Sequence, residues 1–119
     1  MPARSVKRLR LNVFRGCPFV VGRGKDCELV YEYPDVCKYH CQFEVAWDGD
    51  TPCVVLFDTS ANGTWLQEGN KWHQLRQEVA YRVFPGDVIS LLDPRSRFSQ
   101  HHELLLESVG QAGVSSAGG

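Results

Sequence analysis

The sequence predicts an all-β fold, an antiparallel sandwich or barrel. Short runs rich in strand-forming residues recur along the chain, turn residues separate them, and no long window keeps a helical apolar stripe. The first run, "RLRLNVF", sets Leu9, Leu11 and Val13 on one face and Arg8, Arg10 and Asn12 on the other, the period of a half-buried strand. "PFVVGR" and "CELVY" follow, then "HCQFEVAW" from His40 and "CVVLFD" from Cys53. "DVISLLD" from Asp87 and "HELLLES" from His102 complete the series, with Gly, Pro, Asn or Asp between the runs. "RSRFSQHH" before the last run reads as a polar loop, and "GQAGVSSAGG" at 110–119 as a flexible tail or linker with too little apolar surface to order.

A chain of 119 residues holds one core, so residues 1–109 read as one domain. The 43% hydrophobic and 23% charged content is that of a soluble globular protein, and no stretch is apolar enough to span a bilayer. A formal net charge of −1 creates no general field for a polyanion, which argues against nucleic acid but leaves room for a local cationic cluster. The five cysteines are odd in number and no export signal precedes them, so they read as reduced thiols of a nuclear or cytoplasmic protein.

Three segments carry polar chemistry. In "VVGRGKD" two glycines flank Arg23, whose planar five-donor fork suits an oxyanion, although a solvated surface arginine would look the same. In "VCKYHCQFEV", strand alternation sends His40 to the face opposite Cys37 and Cys41, which disfavours both a zinc site and a Cys37–His40 nucleophile pair. A histidine bridging loop backbone groups through both ring nitrogens is the more economical reading. In "DTSANGTW", Asp58, Ser60 and Thr64 can each bond nearby backbone groups while Asn62-Gly63 supplies a turn. Such a loop serves equally as a rigid recognition element or as a well-made hairpin without a ligand.

Taken in order, Gly22-Arg23, "CKYH" at 37–40, "DTSANGTW" at 58–65 and "FPGDVISLL" at 84–92 resemble the signature set of the forkhead-associated (FHA) domain. The resemblance covers most of the chain. It implies an antiparallel β-sandwich of about eleven strands whose loops at one apex bind phosphothreonine peptides, without catalysis, cofactor or metal. Such domains act as adaptors in signalling. Carried onto this chain, Arg23 is the main phosphate ligand and Lys38 a second cation. Asn62 bonds the peptide backbone, with Ser60 and Ala61 beside it. Gly22, His40, Gly63 and Thr64 hold the loops in shape, and Trp65 falls on a large apolar core position. The partner implied is a phosphothreonine-bearing protein, neither nucleic acid nor membrane, and the isolated domain is expected to be a monomer.

One departure concerns Cys37, where the family usually has a serine that donates to a phosphate oxygen. A thiol donates weakly, so that contact is reduced or lost, at a cost that reaches about tenfold or a little more in affinity at most. Ala61 likewise offers no hydroxyl. Glu32 and Asp35 lie in "EYPDV", a loop that in the family helps to set preference at the third residue after the phosphothreonine; either acid facing the peptide would disfavour acidic ligands there. The rival function is a degenerate FHA domain that works as a phosphate-independent interaction or dimerisation module. An enzyme built on a Cys/His pair is the third, and requires a thiol of depressed pKa.

Overall fold

The computed structural model describes residues 6–12, 18–96 and 102–110. Among them are ten strands and no α-helix. They are β1 (Lys7–Asn12), β2 (Phe19–Gly22), β3 (Leu29–Val30), β4 (Cys41–Asp48), β5 (Thr51–Asp58), β6 (Trp65–Glu68), β7 (Lys71–Gln74), β8 (Tyr81–Val83), β9 (Val88–Ser90) and β10 (Glu103–Gly110). They form two five-stranded sheets, one in the order β1-β10-β9-β6-β7 and the other β3-β2-β4-β5-β8.

The sandwich expected from the sequence is present, with two differences. Ten strands stand among the described residues rather than about eleven, and both sheets are mixed rather than wholly antiparallel. β1 runs parallel to β10, pairing Lys7 with Leu104, so the two ends of the domain close one sheet edge. β3, two residues long, runs parallel to β2 because the intervening loop carries the chain back to start beside Val21. β10 also takes in Gly110, which the sequence reading gave to the tail; residues 111–119 lie outside the described residues, as do Cys17 and most of "RSRFSQHH".

Strand alternation builds the core. β4 and β5 pair over eight residues and turn Cys41, Phe43, Val54 and Leu56 inward. Leu9, Leu11, Leu66, Ile89, Leu104 and Leu106 oppose them from the other sheet. Tyr31 crosses between the layers, its hydroxyl donating to the Glu103 carbonyl at 3.0 Å, and burial pushes its phenol pKa far up. Trp65, expected in the core, is half-buried; its neighbour Leu66 takes the inward position. "WLQEGNKWHQ" forms the β6–β7 hairpin, paired from Trp65–Gln74 to Glu68–Lys71.

β2, β3, β5, β7 and β9 finish at one pole, where β4, β6 and β10 begin, so the three polar segments become neighbouring loops. Leu56 is fully buried on the long β4–β5 ribbon beneath them. Leu56→Ala is expected to lower unfolding stability by about 3 kcal/mol, read as a shifted urea midpoint at unchanged slope.

Candidate phosphate-recognition apex

The loop after β2 lies against the loop before β4. Arg23 N–H donates to the Cys37 carbonyl and Gly24 N–H to the Lys38 carbonyl, each at 2.9 Å. This approach needs glycine at 22: a Cβ there would sit 2.3 Å from the Lys38 carbonyl oxygen. Arg23 is exposed, and its Nε donates to the Val36 carbonyl at 2.9 Å. That bond fixes the plane of the guanidinium and leaves its two terminal nitrogens without a protein partner among the described residues. Lys38 is also exposed, with Nζ 5.4 Å from the Tyr39 ring centroid. Tyr39 is itself held by Asp26, which accepts from its hydroxyl at 2.8 Å.

His40 is fully buried and joins two loops. Its Nδ1 accepts from Cys37 N–H at 3.1 Å, so Nε2 carries the hydrogen and donates to the Gly63 carbonyl at 2.7 Å. Burial lowers the pKa of the ring and keeps it neutral, the only state able to accept at Nδ1. Neither nitrogen is left to serve a thiol as base.

A second knot lies inside the loop after β5. Buried Asp58 accepts at Oδ1 from Ser60 N–H (3.0 Å), Ser60 Oγ (2.6 Å) and Thr64 Oγ1 (2.8 Å). Ser60 Oγ in turn accepts from Gly63 N–H at 2.8 Å. Gly63 has φ +107, and a Cβ there would come within 2.8 Å of both the Trp65 ring and the Gln74 amide nitrogen. Two further bonds tie this loop to residues 35–37. Asn62 Nδ2 donates to the Asp35 carbonyl at 2.9 Å, and Ala61 N–H donates to Cys37 Sγ at 3.3 Å.

Arg23, Cys37, Lys38, His40, Asn62, Gly63 and Ala61 thus belong to one connected set of loops. Ser60 differs from its expected place beside the peptide: it is buried, and its hydroxyl is committed to Asp58 and Gly63. The carboxylate of Asp35 is half-exposed and lies 2.8 Å from Nε2 of buried His102. Glu32 does not join the apical set; it lines a surface cleft with Lys7 and Tyr33 where β1 begins. Asp58, the hub of the loop, was legible only as one polar residue among several. Gln77, which donates to the Ser60 carbonyl, gave no signal in the sequence.

Among the described residues no group of three His, Cys, Asp or Glu side chains is placed to hold a metal ion. Burial pushes the Cys27 and Cys41 thiols up in pKa, away from the thiolate a nucleophile needs.

The chain is thus a two-sheet sandwich that carries its polar chemistry on tied loops at one apex. The FHA domain family model matches residues 19–92, and the chain belongs to that family. No curated protein matches the chain. Among solved structures it is similar to the MEK1 FHA domain in complex with a HOP1 phosphothreonine peptide, at 32% identity over 61% of this chain and 71% of that one, with a TM-score of 0.53. The FHA domain of human APLF, in complex with an XRCC1 bisphospho peptide, is 25% identical over 66% of this chain and 73% of that one, with a TM-score of 0.53. The N-terminal FHA domain of S. cerevisiae Rad53p, bound to a phosphothreonine peptide, shares the fold at 21% identity, covering 70% of this chain and 61% of that one with a TM-score of 0.57.

His40→Ala removes a buried ring and both its bonds, and is expected to cost about 3 kcal/mol at pH 7.5 by urea unfolding, on the order set by buried networks. Because the folded pKa lies below the ordinary 6.5, the unfolded chain takes up the proton first as pH falls. The His40 contribution is therefore complete above about pH 6.5 and declines below it, so the gap between wild type and variant narrows toward pH 5.

Proposed function

We propose that this domain is a phosphothreonine-peptide reader that mediates phosphorylation-dependent protein–protein interaction, and that it is not an enzyme. The observation that carries this is Arg23: an exposed guanidinium whose Nε is anchored on the Val36 carbonyl, so that two unpaired terminal nitrogens are held ready for an oxyanion. Lys38, exposed in the loop that touches this one, adds the second cation. Asn62 uses one amide hydrogen on Asp35, which leaves its second hydrogen and its Oδ1 for the backbone of a bound peptide. MEK1 and Rad53p FHA domains are seen with phosphothreonine peptides, which supports the ligand class. A reader of this kind works in the nucleus or cytoplasm, within a signalling pathway.

Cys37 sets the strength of the contact rather than its existence. Its sulfur accepts from Ala61 N–H, so the thiol is already part of the loop tie. A hydroxyl at this position can accept that bond and donate its own hydrogen to phosphate, where a thiol donates weakly. Asp35 is the better placed of the two acids to disfavour an acidic third residue after the phosphothreonine, since its carboxylate is half-exposed beside Asn62's partner carbonyl.

Titration with a phosphothreonine peptide library, beside unphosphorylated and phosphoserine versions, tests the assignment. Phosphate-dependent binding is expected, with a loss of at least about a hundredfold in Arg23→Ala, as for truncating a buried charge-assisted pair. Silence across the whole library in wild-type protein would instead favour the degenerate module. Cys37→Ser is expected to tighten phosphopeptide binding by up to about tenfold, measured by calorimetry against the same peptide.

A further inference from the structure

β5 carries the continuous apolar run "CVVLF" at 53–57, the pattern of a strand covered on both faces. Within one chain only one face is covered. Val54 and Leu56 point into the core, so alternation turns Cys53, Val55 and Phe57 outward, where all three are half-buried. Neighbouring strands extend this outer face: Ala46 pairs with Cys53, and Val20 lies opposite Gln42, the partner of Phe57. Exposed Phe84 lies at its margin, with the Arg82 guanidinium 5.1 Å from its ring centroid. Among the described residues no third layer of strands lies over this sheet. The outer face of the other sheet differs, for there Arg8 and Arg10 are answered by Glu107.

Two charges stand in the apolar face, and they share one row. Val55 is flanked by Glu44 on β4 and by Arg82 on β8. At about 4.8 Å between strands, their backbones lie about 10 Å apart. Gln42 donates to Glu44, and neither Glu44 nor Arg82 has an opposite charge as partner among the described residues.

We propose that this face joins two copies of the chain in a twofold dimer, about an axis that runs along β5. Charge selects both the occupant and the axis. Rotation about a line along β5 brings β4 of one copy over β8 of the other, so that Glu44 meets Arg82 twice across the interface. Rotation about a line across the strands would set Glu44 on Glu44 and Arg82 on Arg82. A row that complements itself in this way is what an isologous interface requires. Cys53, Val55 and Phe57 then face their own counterparts, with backbones about 10 Å apart, the spacing of sheets packed face to face.

This assembly replaces the monomer expected of the isolated domain, and it does not rest on the function proposed above. Because β5 ends at the apex and the axis runs along it, both apices point the same way. Taken with that function, the dimer sets two phosphate sites on one side, and a doubly phosphorylated ligand gains by avidity.

Sedimentation equilibrium of the chain from about 1 μM to about 500 μM, without phosphopeptide, tests the dimer. A mass of two chains is expected at the upper end of that range. Arg82→Glu or Glu44→Lys alone should weaken association at least about tenfold by setting like charges in contact, and the two together should restore it by exchanging the pair. Neither residue belongs to the core, and far-UV circular dichroism checks that each variant is folded. A bis-maleimide spanning about 8 Å is expected to link wild-type dimers but not Cys53→Ser, across a gap too wide for a direct disulfide. A monomer throughout the range overturns the inference, as does a dimer indifferent to both reversals or one that the double exchange fails to restore. A charge-sensitive dimer that cannot be linked through Cys53 overturns the axis. None of these outcomes bears on phosphate binding, which is measured separately.

Discussion

The apex depends on one neutral imidazole. Residues 37–40 and 60–63 belong to separate loops, and each turns a backbone group toward the other. His40 satisfies both, accepting from Cys37 N–H and donating to the Gly63 carbonyl. A lysine could only donate and a carboxylate only accept, and no aliphatic side chain could do either. A single residue that is donor at one end and acceptor at the other is what lets two loops approach without leaving a buried polar atom unpaired. Asp58 then does for the interior of the second loop what His40 does between the loops, gathering three donors on one oxygen. Position and phosphate-facing charge are thus separated: a buried frame built on an imidazole and a carboxylate holds the loops, and the exposed cations stand on top of it.

That separation fits a chain whose formal net charge is −1. With a Debye length of about 8 Å at physiological ionic strength, a phosphate feels Arg23 and Lys38 only when it is nearly in place. In the function proposed above, recognition is therefore a matter of contact geometry and not of long-range steering. The geometry is supplied in advance: Arg23 is held at its backbone N–H and at Nε, so its fork loses little freedom on closing around an oxyanion.

Much of this was legible in the sequence because local chemistry and strand period agreed there. "CKYH" before a run of alternating residues gave a histidine at the mouth of a strand, and Gly22-Arg23 gave a close-packed turn with an exposed fork. What was not legible has definite causes. The parallel pairing of β1 with β10 joins residues about a hundred positions apart, and no local pattern encodes it. β6 and β7 carry a weak strand signal because charged and amide residues crowd a hairpin at a sheet edge, although Gly69-Asn70 between two tryptophan-bearing runs is a usable turn signal. Trp65 reads as a core residue in the sequence because the polar loop before it conceals the parity of its strand, and a one-residue change of parity moves a side chain to the other face. Ser60 is ambiguous for a related reason: in a loop, composition says that hydroxyls bond something, not whether that partner is a ligand or Asp58.

Cys37 illustrates how the frame confines the effect of a substitution. Three ties link residues 35–40 to 61–63: Cys37 Sγ with Ala61 N–H, Asn62 with the Asp35 carbonyl, and His40 with Gly63. Only the first passes through sulfur, and sulfur still accepts it. The loops therefore keep their relation whichever atom stands at that position, and the difference between thiol and hydroxyl falls on a single outward bond. Had the same exchange occurred at Ser60, whose oxygen both donates to Asp58 and accepts from Gly63, the weaker group would have loosened the loop itself. In the proposed reader, a sulfur at 37 and an oxygen at 60 leave the strength of the phosphate contact adjustable and the shape of the loop fixed.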